Sequence, residues 1–141
     1  MRRLQGSSLC SVDEAAVARW LDEYVAAWQT YDEARIGALF SDDAVYRYYP
    51  WSEGDHEVRG RAAIVASWLE EPDAPGTWNA EYKPWLVAGD RAVATGVSRY
   101  LAEDDGSGGK VKREYHNVFL LRFDSDGRCA EFTEQFQLRP A

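Results

Sequence analysis

The chain has 141 residues, of which 45% are apolar and 28% charged, and a formal net charge of −8. That is the length of one domain and the composition of a folded globular protein rather than a disordered one. The acidic balance, with no basic cluster interleaved with aromatics, argues against nucleic acid or an anionic membrane surface as a partner.

Residues 1–10 are expected to form a flexible N-terminal arm, and 11–141 a single domain. Ser11 offers an N-cap with Glu14 three residues on, the capping-box spacing, and predicts a helix running to about Thr30. Val17, Trp20, Leu21, Tyr24, Val25 and Trp28 recur at three- and four-residue steps and give it one apolar stripe. A second helix is expected over about 32–40, with Ile36, Leu39 and Phe40 as its apolar side and Ser41-Asp42-Asp43 as its stop. Ala44 to Tyr49 reads as a short strand ended by Pro50, and 50–60 as a polar loop holding Trp51, His56 and Gly60. Arg61 to Glu70 is a third helix that buries Ile64, Val65, Trp68 and Leu69 and is closed by Pro72, Pro75 and Gly76. Strands follow from Trp78 to Val87 and from Arg91 to Ala102, with an acidic, glycine-rich tip over 103–109. The last element is a long hairpin, Lys110 to Leu138, turning at Asp124-Ser125-Asp126-Gly127. Helices segregated to one side of an antiparallel sheet make an α+β design.

Six Trp, eight Tyr and five Phe are many rings for a core of this size, so some are expected to line a pocket or an interface. Cys10 and Cys129 are too few for a disulfide framework and show no metal-ligand spacing; both read as free thiols of a reducing compartment. The basic start Met1-Arg2-Arg3 is followed by Gln5-Gly6-Ser7-Ser8 and not by the apolar core of a signal peptide. No apolar run is long enough to cross a membrane, and a cytoplasmic location is expected.

Four stretches resemble the nuclear transport factor 2-like superfamily in its SnoaL-like (polyketide cyclase-like) branch. They are Tyr24-Val25-Ala26-Ala27-Trp28; Leu39 through Tyr46; Gly60-Arg61-Ala62-Ala63-Ile64; and Tyr115 through Phe123 with Gly127-Arg128 and Phe132-Thr133-Glu134. The resemblance implies a cone in which three N-terminal helices pack on a strongly curved, mostly antiparallel sheet enclosing a pocket. It also implies a dimer through the outer face of the sheet. It does not assign a reaction, because the superfamily carries several chemistries and proteins with none.

Period-two alternation puts Tyr115, Asn117, Phe119, Leu121 and Phe123 on the inner face of the hairpin, and His116, Val118, Leu120 and Arg122 on the outer. If Phe132 and Phe136 face inward, Glu134 does too. A carboxyl between phenylalanines has its pKa raised by burial and suits acid–base work; the plainer reading is a structural Glu bonded to a Tyr, a Trp or an Arg. The segment around Tyr24 resembles the first helix of ketosteroid isomerases, where a Tyr donates to the oxyanion. That site also needs a base at the end of the first strand, where this chain has Tyr48-Tyr49-Pro50, and an acid where it has Phe119, so the isomerase mechanism is rejected. The Asp-Arg-Asp arrangement of epoxide hydrolases of this fold finds only Arg99, without a carboxylate beside it. His56, in the loop after the first strand, is a possible base at the pocket mouth, or an exposed loop residue. His116 reads as an outer-face residue.

The sequence therefore predicts a pocket for a small hydrophobic molecule among Trp20, Tyr24, Trp28, Tyr48, Trp51, Trp68, Trp85, Tyr115, Asn117 and Phe119, with Glu134 or His56 as proton carrier in cofactor-free isomerisation, cyclisation or hydration. The alternative is a non-catalytic dimeric ligand-sensing or interaction module. No metal and no cofactor are expected, and a homodimer is expected through His116, Val118 and Leu120.

Overall fold

The computed structural model describes residues 11–50, 57–101 and 111–140. The expected arm over 1–10, Cys10, Trp51 and His56 lie outside the described residues. Helix α1 is Glu14–Thr30, and its N-cap is Asp13, whose Oδ1 accepts from the Ala16 N–H at 2.8 Å. The expected cap at Ser11 is displaced because the Val12 N–H donates to the Gly89 carbonyl at 2.9 Å, which holds that residue extended. Val17, Trp20, Leu21, Tyr24 and Ala27 form the buried stripe, and the helix ends at Tyr31 in the left-handed region with φ 50°.

Helix α2, Glu33–Ala38, is capped by Asp32 and is shorter than the sequence suggested. The Leu39 carbonyl is taken by the Cys129 N–H at 2.8 Å and the Trp20 indole at 3.0 Å. Phe40 therefore opens strand β1, Phe40–Arg47, instead of closing the helix. Ser41-Asp42-Asp43, expected to stop the helix, instead forms an irregularity within the strand, between the paired positions Phe40 and Val45. A short strand β2, Glu57–Arg59, pairs antiparallel with β1 where only loop was expected. Helix α3 is Arg61–Glu70, entered through Gly60 at φ 92°. Of its predicted buried positions only Ile64 is fully enclosed, while Val65, Trp68 and Leu69 are half-buried and pack on the core edge.

Strands β3 (Trp78–Ala88), β4 (Arg91–Leu101), β5 (Val111–Phe123) and β6 (Cys129–Leu138) complete a six-stranded sheet in the order β2-β1-β6-β5-β4-β3. All neighbours are antiparallel except β1 with β6. The β5–β6 turn is held by Asp124, whose Oδ1 accepts from the N–H groups of Asp126 and Arg128, both at 2.9 Å. Register shifts at Pro84/Leu86, Tyr100/Leu101 and Arg122/Phe123 add local bend to the sheet. The fold is the α+β cone.

The core lies between the α1 stripe and the inner sheet face. Phe40, Phe119, Phe123, Phe132, Leu21 and Ile36 are fully enclosed there, each stabilising by about 1.5–3 kcal/mol. This core fills one end of the cone and leaves the other open.

Candidate functional site

The open end is a cavity of about 410 Å³, within the range of small-molecule sites. Its floor is aromatic. Phe132 of β6 stacks on Tyr24 of α1 at 5.5 Å between ring centroids and on Tyr46 of β1 at 4.4 Å. The two tyrosine hydroxyls lie 3.3 Å apart and share a hydrogen bond. Burial pushes both hydroxyl pKa values well above the usual tyrosine range, so both remain protonated at any physiological pH.

The walls pair ring with hydroxyl. Tyr48 and the Ser67 hydroxyl are 2.6 Å apart, and Trp68 meets the Tyr24 ring edge-on at 5.2 Å. Tyr82 comes from β3. Opposite it on β4, Gly96 has no side chain, and a Cβ there would run into the Glu81 carbonyl and the Tyr82 ring. Ser98 donates to Asn117 Oδ1 at 3.1 Å across β4 and β5. At the rim Trp28 stacks on Trp78 at 3.6 Å. Asp73, in the segment after α3, accepts from Trp28 Nε1 at 3.0 Å and from the Tyr31 hydroxyl at 3.2 Å. Tyr100, Arg113, Tyr115 and Phe136 close the mouth.

Glu134 projects into this space from β6, opposite Phe119 of β5. Among the described residues its carboxyl has neither a hydrogen-bond nor an ion-pair partner. Burial alone raises its pKa to about 7. Its charge reaches outward: after burial, it is among the causes that raise the hydroxyls of Tyr24, Tyr46, Tyr48, Tyr82 and Tyr100. The arrangement can hold a planar molecule against ring faces, donate hydrogen bonds from several hydroxyls, and give or take one proton near neutral pH.

Of the residues expected at the site, Tyr24, Trp28, Tyr48, Trp68, Tyr115, Asn117 and Glu134 line the cavity together. Three do not. Trp20 lies beneath the floor, its indole donating to the Leu39 carbonyl and its ring packed against Phe40 and Phe123. Phe119, 1% exposed, is a supporting ring under Tyr82 and Phe132. Trp85 is 71% exposed, because it shares strand parity with exposed Asn79, Glu81 and Lys83 and points off the inner face. The residues missed were chiefly Tyr31, Tyr46, Asp73, Tyr82, Ser98, Tyr100 and Arg113. Strand parity was the available signal: Tyr82 shares parity with buried Trp78, and Ser98 and Tyr100 with buried Ala92 and Ala94.

Arg99 does have a carboxylate beside it, contrary to expectation. It is Glu114 of the neighbouring strand, at 3.2 Å, on the outer face and away from the cavity. His116 at 2.9 Å and Arg139 at 3.1 Å share the same carboxylate, and with Arg99 they hold its pKa down at about 2, His116 contributing most. Cys129 is a free, buried thiol. Among the described residues, no three or more His, Cys, Asp or Glu side chains gather as a metal site needs. No described helix is long and apolar enough to cross a membrane.

A family model described as the SnoaL-like domain matches residues 21–132. Among solved structures the chain is similar to a provisionally assigned ketosteroid isomerase from Kribbella flavida, with 18% identity, a TM-score of 0.63, and 92% of this chain and 83% of that one covered. It is also similar to an NTF2-like protein of unknown function from Mesorhizobium loti, with 21% identity, a TM-score of 0.57 and 88% and 93% covered. A third is a protein of unknown function with a cystatin-like fold from Methylobium petroleophilum, with 19% identity, a TM-score of 0.61 and 93% and 82% covered. At these identities the likeness is one of fold. Among curated proteins no match was found.

Proposed function

Because the chain belongs to the SnoaL-like domain family, we propose that its cavity binds a small ring-containing molecule with which Glu134 exchanges a proton, in a cofactor-free isomerisation, cyclisation or hydration. The supporting observation is the Glu134 carboxyl itself. Among the described residues it is the one inward group with a pKa of about 7, and no partner there consumes it. A base poised near the working pH balances having the right protonation state against proton-transfer strength. The tyrosine hydroxyls stay protonated and can donate to a carbonyl or to an oxyanion developing on it. The ring bodies favour an apolar, planar ligand. The hydroxyls, Asn117 and Ser98 favour one that carries oxygens.

Expected ligands are found by thermal shift against ring-containing metabolites, and the reaction by deuterium uptake. In D₂O the wild type is expected to exchange an acidic C–H of a stabilising ligand at least about 100-fold faster than Glu134→Gln. If no compound stabilises the protein, the binding reading fails. Binding with equal exchange in both proteins would leave the non-catalytic ligand-sensing module. That second reading is favoured by one arrangement: the floor hydroxyls of Tyr24 and Tyr46 share one hydrogen bond, and the position paired with Glu134 on the neighbouring strand is Phe119 rather than a second carboxyl.

The outer sheet face is proposed as the surface of a homodimer. Leu86 and Leu120 are 54% and 45% exposed there and border a groove with Val93, whose edge carries Arg122 bonded to Glu131. A half-apolar sheet face with both charge signs at its edge is suited to meet itself about a two-fold axis. Light scattering at micromolar concentration is expected to give twice the chain mass, and Leu120→Glu half of that. A monomeric wild type would overturn it. A cytoplasmic setting is proposed with it, where a free Cys129 stays reduced.

A further inference from the structure

We propose that Arg113 anchors a carboxylate on the ligand at the cavity mouth, so that the opposite end of the molecule is delivered to Glu134. This rests on the binding reading above and names the ligand class: a fused-ring carboxylic acid rather than a neutral hydrocarbon-like compound.

Arg113 is the one cation among the described residues that line the cavity. It is held there by rings: its guanidinium carbon sits 4.8 Å from the Tyr100 centroid and 5.9 Å from that of Tyr115. Those two rings meet at 90° and form a corner. Its Nη1 donates to the Tyr115 hydroxyl at 3.3 Å, which, among the described residues, leaves most of its five donors unspent. In a chain with 24 acids and 16 bases, arginines commonly find a carboxylate. Arg47, Arg99 and Arg122 each bond a glutamate. Arg113, exposed at the rim, bonds none among the described residues, and a guanidinium fork of this kind matches a carboxylate in a bidentate way.

The rest of the rim steers the same group to the same place. Glu71 and Asp73 also line the mouth. Asp73 is committed to Trp28 and Tyr31, and both carboxylates repel an anion from their side of the opening. That leaves the Arg113 corner as the favourable seat. Glu134 faces Phe119, six positions further along β5, or roughly 20 Å of strand before the two side chains reach towards each other. Tyr100 stands opposite Arg113 on β4; burial first, then Asp73 and Glu134, raise its hydroxyl pKa, and Arg113 lowers it. A flat acid seated at the Arg113 corner and extending down the cavity thus turns its far edge towards Glu134, which lines the same space.

The test compares 2-naphthoate with methyl 2-naphthoate, binding each to the full chain by titration calorimetry. The wild type is expected to bind the acid about fivefold to tenfold more tightly than the ester, with the preference shrinking as salt is added. Arg113→Gln is expected to abolish the preference. Glu134→Gln is expected to keep it. Equal affinity for acid and ester in the wild type, or an undiminished preference in Arg113→Gln, overturns the anchor while the cavity reading stands. Failure of both probes to bind the wild type overturns both.

Discussion

Truncating Phe132 to alanine is expected to cost about 3–5 kcal/mol of folding stability. Phe132 is fully buried, and four rings from three other elements lean on it. Tyr24 and Tyr46 stack on it, Phe119 tilts against it at 4.7 Å, and Trp20 lies 6.2 Å away. These neighbours come from α1, β1 and β5, so the space left by its removal has no single side chain free to collapse into it, and the cavity term is felt in full. Phe136, four residues on and 41% exposed, is the control, with a loss of about 1 kcal/mol or less. Urea unfolding of the two variants checks this. Similar midpoints for both would show that Phe132 is not the ring that joins helix to sheet.

The second expectation concerns pH. Glu134 moves from 4.5 to about 7 on folding, so between those values the folded chain binds more protons than the unfolded one. Stability contributed by this group therefore falls as pH rises through the window and is flat above about 7. A shift of this size corresponds to on the order of 3 kcal/mol. Glu134→Gln removes the slope: measured against the wild type, its relative stability is expected to improve by roughly that amount between pH 4 and pH 8. Glu114 has the opposite sign, because its pKa is depressed to about 2. Its contribution is present above the ordinary glutamate value and lost as pH falls towards 2, so the two windows do not overlap. Chemical denaturation from pH 4 to 8 reads the Glu134 window, and a wild type with no downward slope between 4.5 and 7 would place that carboxyl in water.

The fold was legible because its signals are periodic. The three- and four-residue stripe on α1, the alternation on β5 and the Asp-Gly turn before β6 each specify local geometry, and the structure realises them. What was not legible depends on partners distant in the chain. Phe40 reads as the end of a helix until the Cys129 N–H is known to claim the Leu39 carbonyl. Trp85 is the exception: it reads as pocket lining because tryptophan is a pocket residue, yet its parity with Glu81 and Lys83 puts it on the outer face. Asp73 carries no motif, and its place at the rim arises only when Trp28 and Tyr31 reach it. Glu134 was found because it sits two residues from Phe132 on a strand whose inward parity was clear. Tyr82 obeys the same rule, since it shares parity with buried Trp78 on β3.

The stacked indoles of Trp28 and Trp78, 3.6 Å apart and inclined by 15°, have a consequence for light rather than for stability. Two transition dipoles held this close in a fixed chiral relation couple as an exciton pair. The protein therefore carries a paired circular-dichroism band of its own in the ultraviolet. One indole belongs to the helix and the other to the sheet, and Trp28 borders the cavity. Any molecule that shifts one plane against the other changes the sign or depth of that band, so the rim of the cone reports its own occupancy without a label.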